Sequence, residues 1–562
     1  MTPRSVRTAR SFRVSLVVFG LVMASFPPGV RAQSPPRDAG VWEAAGKNGA
    51  VVAGGAGAVE AGLEILKGGG NATDAAVATI LALNVTDATS ACFGGEVPIL
   101  IYDAKTGATE VIAGQGAAPA LATREFFAVR SGGIPAKGLE PAAVPAVLDA
   151  CLTALDRHGT LTFARAAGPM LRLLDRHEKP WHADLARTVR RLVEAENGSG
   201  GDRRRGLRLV ADYFYRGPLA REIGEWSRAH GGLLRYGDLA RHVTRVEEPV
   251  SVAYRGYTVL KCGAWTQGPF LLEALQLLEG FDLKAMGHNS PDAIHVTVEA
   301  MKLALADRDT FYADPLYEDV PLAGLLDPSY AKGRRELIDL SRASLVRRPG
   351  DPRRGRPLLP EGEDRVGEGT AGRDTTTCVV ADRDGNVVAA TPSGWSGVVA
   401  GDTGVWLGTR LQSFNLWPDH PNCIAPGKRP RITLTPTIVT RDGKPVLAVS
   451  VAGGDNQDMM TLQLVLNHLD FGLSPAASVT APRFMSDHFV GSFRQTPPKL
   501  GELRINPSIG EPVLQALTSR GHKLTPSATP LAAAATVLVV EPGTGSYRAA
   551  GDPRAGRHAG AL

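Results

Sequence analysis

Asp374-Thr375-Thr376-Thr377-Cys378-Val379-Val380-Ala381-Asp382-Arg383-Asp384-Gly385-Asn386-Val387-Val388-Ala389-Ala390-Thr391 decides how this chain is read. Thr376 to Ala381 predicts a strand, Asp384-Gly385 a hairpin turn, and Val387 to Thr391 the return strand. The preceding stretch, residues 350–374, is rich in Gly, Pro and charge and has almost no apolar periodicity, which predicts a mobile loop. A threonine at the head of a strand, behind such a loop, has a chemical use if the chain is cut before it. Its hydroxyl is a poor nucleophile, but a freed α-amine has a pKa near 8 and can act as its base. Thr375 holds that position and Asp374 is the residue before the cut. By itself the feature fits a solvent-facing strand threonine better.

A second hairpin follows the same logic: Thr437 to Thr440, the turn Asp442-Gly443, then Pro445 to Val451, ending on Gly453-Gly454. Two backbone N–H groups there could face a developing oxyanion, although a plain turn has the same sequence. Toward the N-terminus the pattern alternates. Residues 49–53 read as a strand and Val59 to Leu66 as a helix stopped by Gly68-Gly69-Gly70. Asn71 or Thr73 caps the next helix, whose Ala75 to Leu83 run is apolar nearly all round and so predicts burial. Val97 to Asp103 is a strand, and Lys137 to Leu174 carries two helical patterns. Ile294, Val298, Met301 and Leu305 share one helix face. Residues 33–48 read as loose, and 197–208 as a flexible basic loop.

Composition narrows the classes. The 562 residues are 43% hydrophobic and 21% charged, ordinary for a globular enzyme and wrong for a disordered or fibrous chain. The formal net charge of +5 comes from Arg4, Arg7, Arg10, Arg13 and Arg31 in an acid-free front segment. Nothing else suggests a nucleic-acid partner. Residues 1–32 read as a secretory signal: an arginine-bearing start, an apolar run from Val14 to Phe26 too short to span a bilayer comfortably, and Val30-Arg31-Ala32 before the cut. The expected location is periplasmic or secreted, with no membrane span after cleavage. The five cysteines are scattered and form no disulfide framework. His420 and Cys423 have ligand-like spacing but no second pair, so neither a metal nor another cofactor is expected.

From about residue 49 onward the chain resembles the γ-glutamyltranspeptidase family of N-terminal-nucleophile hydrolases. The matching stretches come in family order. They run from Ala61-Gly-Leu-Glu-Ile-Leu-Lys-Gly-Gly-Gly-Asn-Ala-Thr-Asp, through Phe214-Tyr-Arg-Gly, Gly231-Gly232 with Asp238-Leu239, and Tyr254-Arg-Gly-Tyr257. They continue with Glu299 to Asp314-Pro315, Asp374-Thr-Thr-Thr, Lys428-Arg-Pro with Thr435-Pro-Thr437, and Ala481-Pro-Arg483, and end at Asp552-Pro-Arg554. The resemblance implies an α+β fold, a four-layer αββα sandwich of two stacked sheets. It implies a proenzyme that cuts itself between Asp374 and Thr375. The products are a large subunit (33–374) and a small one (375–562) with the nucleophile at its N-terminus, joined as a heterodimer. Thr375 then carries the acyl group to water or an amine. Ser393 falls where the family has a supporting threonine, Thr376 matches as it stands, and Gly453 and Gly454 match the oxyanion-hole glycines.

The donor-binding half departs from the family. Gln115 stands at the place of the arginine that grips the donor's α-carboxylate. Ser413 replaces the acid that grips its α-amine, and Arg410 stands where a neutral or acidic residue is usual. Ile432 and Thr433 replace paired serines, and Trp395 an asparagine. Loss of the forked cation and of the amine's counter-charge points to a changed donor, still an amide, whose acid group meets Arg410. The alternatives are an ordinary hydrolase or transpeptidase of glutathione-like γ-glutamyl donors, and a non-catalytic member serving as a binding protein. A serine hydrolase is disfavoured because Val398 breaks the elbow pattern at Gly394-Trp395-Ser396-Gly397.

Overall fold

The hairpin around Asp384-Gly385 forms the middle of a seven-stranded antiparallel sheet. The computed structural model describes residues 41–130, 133–360, 365–367, 374–527, 533–541 and 544–562. The expected signal segment, and residues 361–364 and 368–373 of the expected mobile loop, lie outside the described residues. From edge to edge the first sheet runs His558–Ala561, Gly49–Ala53, Cys378–Asp382, Val387–Ala390, Val97–Tyr102, Thr109–Gly114 and Arg245–Glu247. The second runs Glu43–Gly46, Tyr547–Gly551, Ala534–Val540, Lys444–Ala452, Thr437–Arg441, Tyr257–Lys261 and Val250–Tyr254. A three-stranded sheet of Phe484–Ser486, Glu502–Ile505 and Lys523–Pro526 lies apart from both.

Strand alternation shows the layering. In Cys378–Asp382, Cys378 and Val380 join a core shared with the helices Ala56–Lys67, Ala72–Thr86, Val147–His158 and Phe163–Leu174. Val379 and Ala381 instead join a core that includes Ala448 and Leu538 of the second sheet. The second sheet repeats the scheme: Leu447, Val449 and Val451 pack with the helices Gly268–Leu278, Pro291–Phe311 and Asn456–Leu469. The order is helix, sheet, sheet, helix, the αββα sandwich of an α+β fold. Both strands of the central hairpin are buried on both faces, which is why their sequence is apolar without a break.

Local chemistry sets the elements. Asn71 caps Ala72–Thr86 through a reciprocal pair with Asp74. Asp382 Oδ1 accepts from the N–H groups of Asp384 and Asn386, and Gly385 takes φ 89°, which closes the hairpin. Three expectations are corrected. Residues 33–48 are not loose throughout, because Glu43–Gly46 is an edge strand paired with Tyr547–Gly551. The basic loop at 197–208 shrinks to a short connection: Asp202 accepts from the Arg205 N–H and starts the helix Arg203–Tyr215, which buries Leu207, Val210 and Phe214. The first helix within 137–174 begins only at Val147. Among the described residues no helix is long and apolar enough to cross a membrane.

Candidate active site

Sheet register brings the expected residues together. Cys378 pairs with Ala390 and Ala381 with Val387, so continuing the ladder sets Thr375 opposite Ser393. The rung between them is present, with Thr376 N–H donating to Pro392 O at 2.8 Å. On the far side, Ile99 pairs with Ala390, and the same ladder continues to an isolated antiparallel bridge between Glu96 and Ser393. Thr375, Ser393 and Glu96 therefore form a row across three strands at one end of the sheet. Cross-strand neighbours project from one face. Thr375 has the parity of Val379 and Ala381, so that face looks toward the second sheet.

Thr375 is 8% exposed and Ser393 fully buried. Thr375 Oγ1 contacts the Asp374 carbonyl oxygen and lies 3.2 Å from Ser393 Oγ. Ser393 Oγ donates to the same carbonyl at 2.5 Å and accepts from Arg410 Nη2 at 2.6 Å. Arg410 is buried in the short turn Arg410–Ser413. Its Nε donates to Glu96 Oε1 at 2.6 Å, and its Nη2 lies 3.5 Å from Asp374 Oδ1. Burial pushes the Asp374 carboxyl up to about 7, Arg410 opposing and Glu96 adding to the shift. Burial, with Glu96 and Asp374 nearby, also holds the Cys92 thiol well above its usual range. Cys378 is buried on the helix side, its thiol raised by burial. Two glycines admit nothing larger: a Cβ on Gly95 would strike the Ser393 carbonyl, and one on Gly54 the Thr376 hydroxyl.

Gly453 and Gly454 follow the strand Lys444–Ala452 and precede the helix Asn456–Leu469, with φ 143° and 60°. That strand is tied to the central hairpin across the two sheets. The Thr391 and Ser450 hydroxyls lie 3.0 Å apart, and Ser450 Oγ donates to Ala390 O at 2.8 Å. Phe493 links the glycine turn to the threonine row. A Cβ on Gly454 would come within 3.2 Å of its ring, and the Arg410 guanidinium lies 5.6 Å from its centre. With its amide oriented to satisfy its neighbours, Gln457 donates to Val451 O and Thr433 O and accepts from Gly454 N–H at 3.3 Å.

The expected donor-site residues separate into groups. Gln115 is buried, with Nε2 donating to Gly116 O and Oε1 without a partner. Ser413 Oγ is also buried without a partner. Trp395 stacks on Trp406 with ring centres 4.1 Å apart. Thr433 sits under Gln457. Ile432 lies in the core between the sheets, so its side chain packs Trp265 and Leu434 as core. Arg410 does not stand open for a donor's acid, because Glu96 already takes its charge. Beside Ser413, Gln412 lines a cavity of about 260 Å³ walled by Ile134, Phe414, Leu416, Trp417, Arg494 and Gln495. His420 spends its ring nitrogens on Asn415, Asn422 and the Asp309 carbonyl.

Sequence reasoning missed Glu96. It lies in a small-residue stretch, and its partner is 314 positions away, so no local pattern marks it. The available signal was Arg410 itself. A cation between Leu407, Leu411 and Phe414 requires a buried counter-charge.

Comparison with known proteins agrees with this architecture. The family model for gamma-glutamyltranspeptidase matches residues 58–177 and 172–562. The glutathione hydrolase proenzyme of Bacillus subtilis (strain 168) is 31% identical over 544 residues, 90% of each chain. The Acylase ACY 1 proenzyme of Pseudomonas sp. (strain SE83) is 32% identical, covering 86% of this chain and 88% of that one. The crystal structure of cephalosporin acylase from Bacillus halodurans superposes with a TM-score of 0.78 at 28% identity, over 96% of this chain and 99% of that one. With the αββα layering and the Asp374-Thr375 motif at the end of its central hairpin, the chain belongs to the gamma-glutamyltranspeptidase family and is an enzyme of that hydrolase and acyltransferase kind.

Proposed function

We propose that the protein is an exported, self-processing amidase or acyltransferase that uses Thr375 as its nucleophile and takes an acyl donor other than the usual γ-glutamyl group. The observation that carries the first half is the placement of the Thr375 hydroxyl. It touches the Asp374 carbonyl, and Ser393 donates to that same oxygen. Cleavage there frees the Thr375 amine, which then serves as base to its own hydroxyl. The turn at Gly453 and Gly454 supplies N–H donors for the oxyanion. The long Gln457 contact to Gly454 is one that a charged oxygen displaces.

The altered donor rests on two buried polar atoms. A γ-glutamyl donor carries a carboxylate and an ammonium, and each calls for an opposite charge. Gln115 and Ser413 offer a neutral amide oxygen and a neutral hydroxyl, both buried and unpartnered. The cavity lined by Gln412 is part apolar, through Ile134, Phe414, Leu416 and Trp417, and part polar, through Arg494 and Gln495. The two neutral groups suit an amide whose acyl chain has no α-amino group. Relatives named for glutathione hydrolysis and for acylase activity stand at similar identity, so family membership alone does not choose between these donors.

Two measurements test the reading. N-terminal sequencing of the smaller band from purified protein is expected to begin Thr-Thr-Thr-Cys, and Thr375→Ala to leave one uncut chain. Against a panel of amides, des-amino acyl anilides are expected to turn over faster than γ-glutamyl anilides. A preference for γ-glutamyl donors over every des-amino amide returns the enzyme to the family's ordinary activity.

A further inference from the structure

We infer that the buried pair Glu96–Arg410 is a positioning device for self-cleavage: it fixes the direction of the Ser393 hydroxyl so that Ser393 delivers its proton to the scissile carbonyl. The inference rests on the proposed cut between Asp374 and Thr375. It deepens that reading by adding Glu96 and by giving Arg410 a role other than meeting the donor.

The argument is one of donor and acceptor counting. A guanidinium only donates. Arg410 Nη2 lies 2.6 Å from Ser393 Oγ, so the serine oxygen accepts there. Its own proton must then point elsewhere, and the Asp374 carbonyl oxygen lies 2.5 Å away. The remaining lone pair of Ser393 Oγ faces the Thr375 hydroxyl at 3.2 Å. That leaves one direction for a proton chain through Ser393, from Thr375 to the Asp374 carbonyl, while the resting Thr375 hydroxyl itself lies against that carbonyl. Without Arg410 the serine hydroxyl is free to turn and donate to Thr375 instead, which reverses the chain. Glu96 holds the arginine by its Nε and Nη2 and sits in the same row of the sheet, bridged to Ser393 through both backbones. A sheet rung thus sets the position of Glu96, and Glu96 sets that of Arg410.

The step balances. Thr375 Oγ adds to the Asp374 carbonyl carbon. The threonine proton passes to Ser393 Oγ as the serine proton passes to the carbonyl oxygen, leaving a neutral tetrahedral adduct in a five-membered ring. The adduct's hydroxyl proton then returns through Ser393 to the Thr375 nitrogen as the C–N bond breaks. The result is an Asp374 ester on Thr375 with a free amine. Water cleaves that ester, restoring the threonine hydroxyl and leaving the Asp374 α-carboxyl. No metal, oxidant or further reactant is needed for this sequence.

The test follows cleavage of freshly translated full chain in a cell-free system, by the appearance of the two subunit bands with time. Glu96→Gln with Arg410→Gln removes both charges of the pair together, with an isostere at Glu96 and a shorter polar chain at Arg410, so neither partner is left as a lone buried charge. The expected result is cleavage slowed by about tenfold or more, short of the roughly 100- to 10,000-fold of a full general acid–base contribution because Ser393 remains, with an unchanged circular dichroism spectrum. Adding Ser393→Ala to this double variant is expected to slow it by less than about twofold further, although Ser393→Ala alone slows the wild type strongly. Groups acting through one another show such non-additivity, and a merely structural pair does not. If the double variant does not fold, Arg410→Lys replaces it. The lysine keeps the charge against Glu96 but has one donor head, and slowed cleavage is again expected. Wild-type cleavage rates in the folded variant, or full additivity with Ser393→Ala, overturn the inference. A wild-type chain that is never cut before Thr375 overturns the proposed function with it, and N-terminal sequencing separates the two failures.

Discussion

At the scale of single residues, the proposed cut site holds a carboxyl shifted toward its neutral form. The Asp374 carboxyl is pushed up to about 7 by burial, facing Arg410, Glu96 and Cys92. In the unfolded chain it has the ordinary value near 3.9. The folded precursor therefore holds a proton that the unfolded chain has released. The stability contributed by this group is complete below the ordinary carboxylate range and is lost as pH rises through about 7. The uncut Thr375→Ala protein is the sample in which this is read. Its melting temperature, minus that of Thr375→Ala with Asp374→Asn, is expected to fall steadily between pH 4 and 8. A flat difference means that Asp374 is ionised in the precursor. At the neighbouring position, Gly95→Ala places a methyl group against the Ser393 carbonyl. It is expected to slow cleavage more than it lowers the melting temperature, because the displaced group belongs to the reacting row.

At the scale of elements, legibility followed burial. The 378–390 hairpin was readable because an Asp-Gly turn joins two unbroken apolar runs, and Ala72–Thr86 because its small apolar residues continue around the whole helix. The pairing of Thr375 with Ser393 follows from that hairpin's register, so two members of the site were within reach of sequence alone. Glu96 was not, since its role depends on a strand 285 to 291 residues earlier in the chain finding this edge of the hairpin. Ile432 was placed by alignment to the family's paired serines and proved to be core, a difference that only packing decides. Arg203-Arg204-Arg205 looked like a solvated loop because consecutive charges carry no helical period. The helix there is set by its cap and by Leu207, Val210 and Phe214 further on. Asp202→Ala removes that cap and is expected to lower the unfolding free energy modestly. Denaturant unfolding of the uncut Thr375→Ala background measures it, and the cleavage rate in the Thr375 protein is expected not to change.

At the scale of the whole molecule, the proposed cut divides a woven structure. In the first sheet the strand from residues 49–53 lies between His558–Ala561 and Cys378–Asp382, so a strand from before the cut is flanked by two from after it. In the second sheet Glu43–Gly46 and Tyr257–Lys261 border a block of four strands that follow residue 375. The two pieces share hydrogen-bonded ladders in both sheets and the core between them. They are expected to co-elute from size exclusion at nanomolar concentration after complete cleavage, and to separate only in denaturant. Elution as two species without denaturant contradicts this interleaving. The interleaving has a consequence for either piece alone. Cys378–Asp382 pairs with Gly49–Ala53, whose other edge pairs with His558–Ala561. A piece parted from its counterpart in denaturant therefore carries bare strand edges and an uncovered apolar sheet face. Bare edges of that kind template pairing with like chains, so each piece guards the other against aggregation.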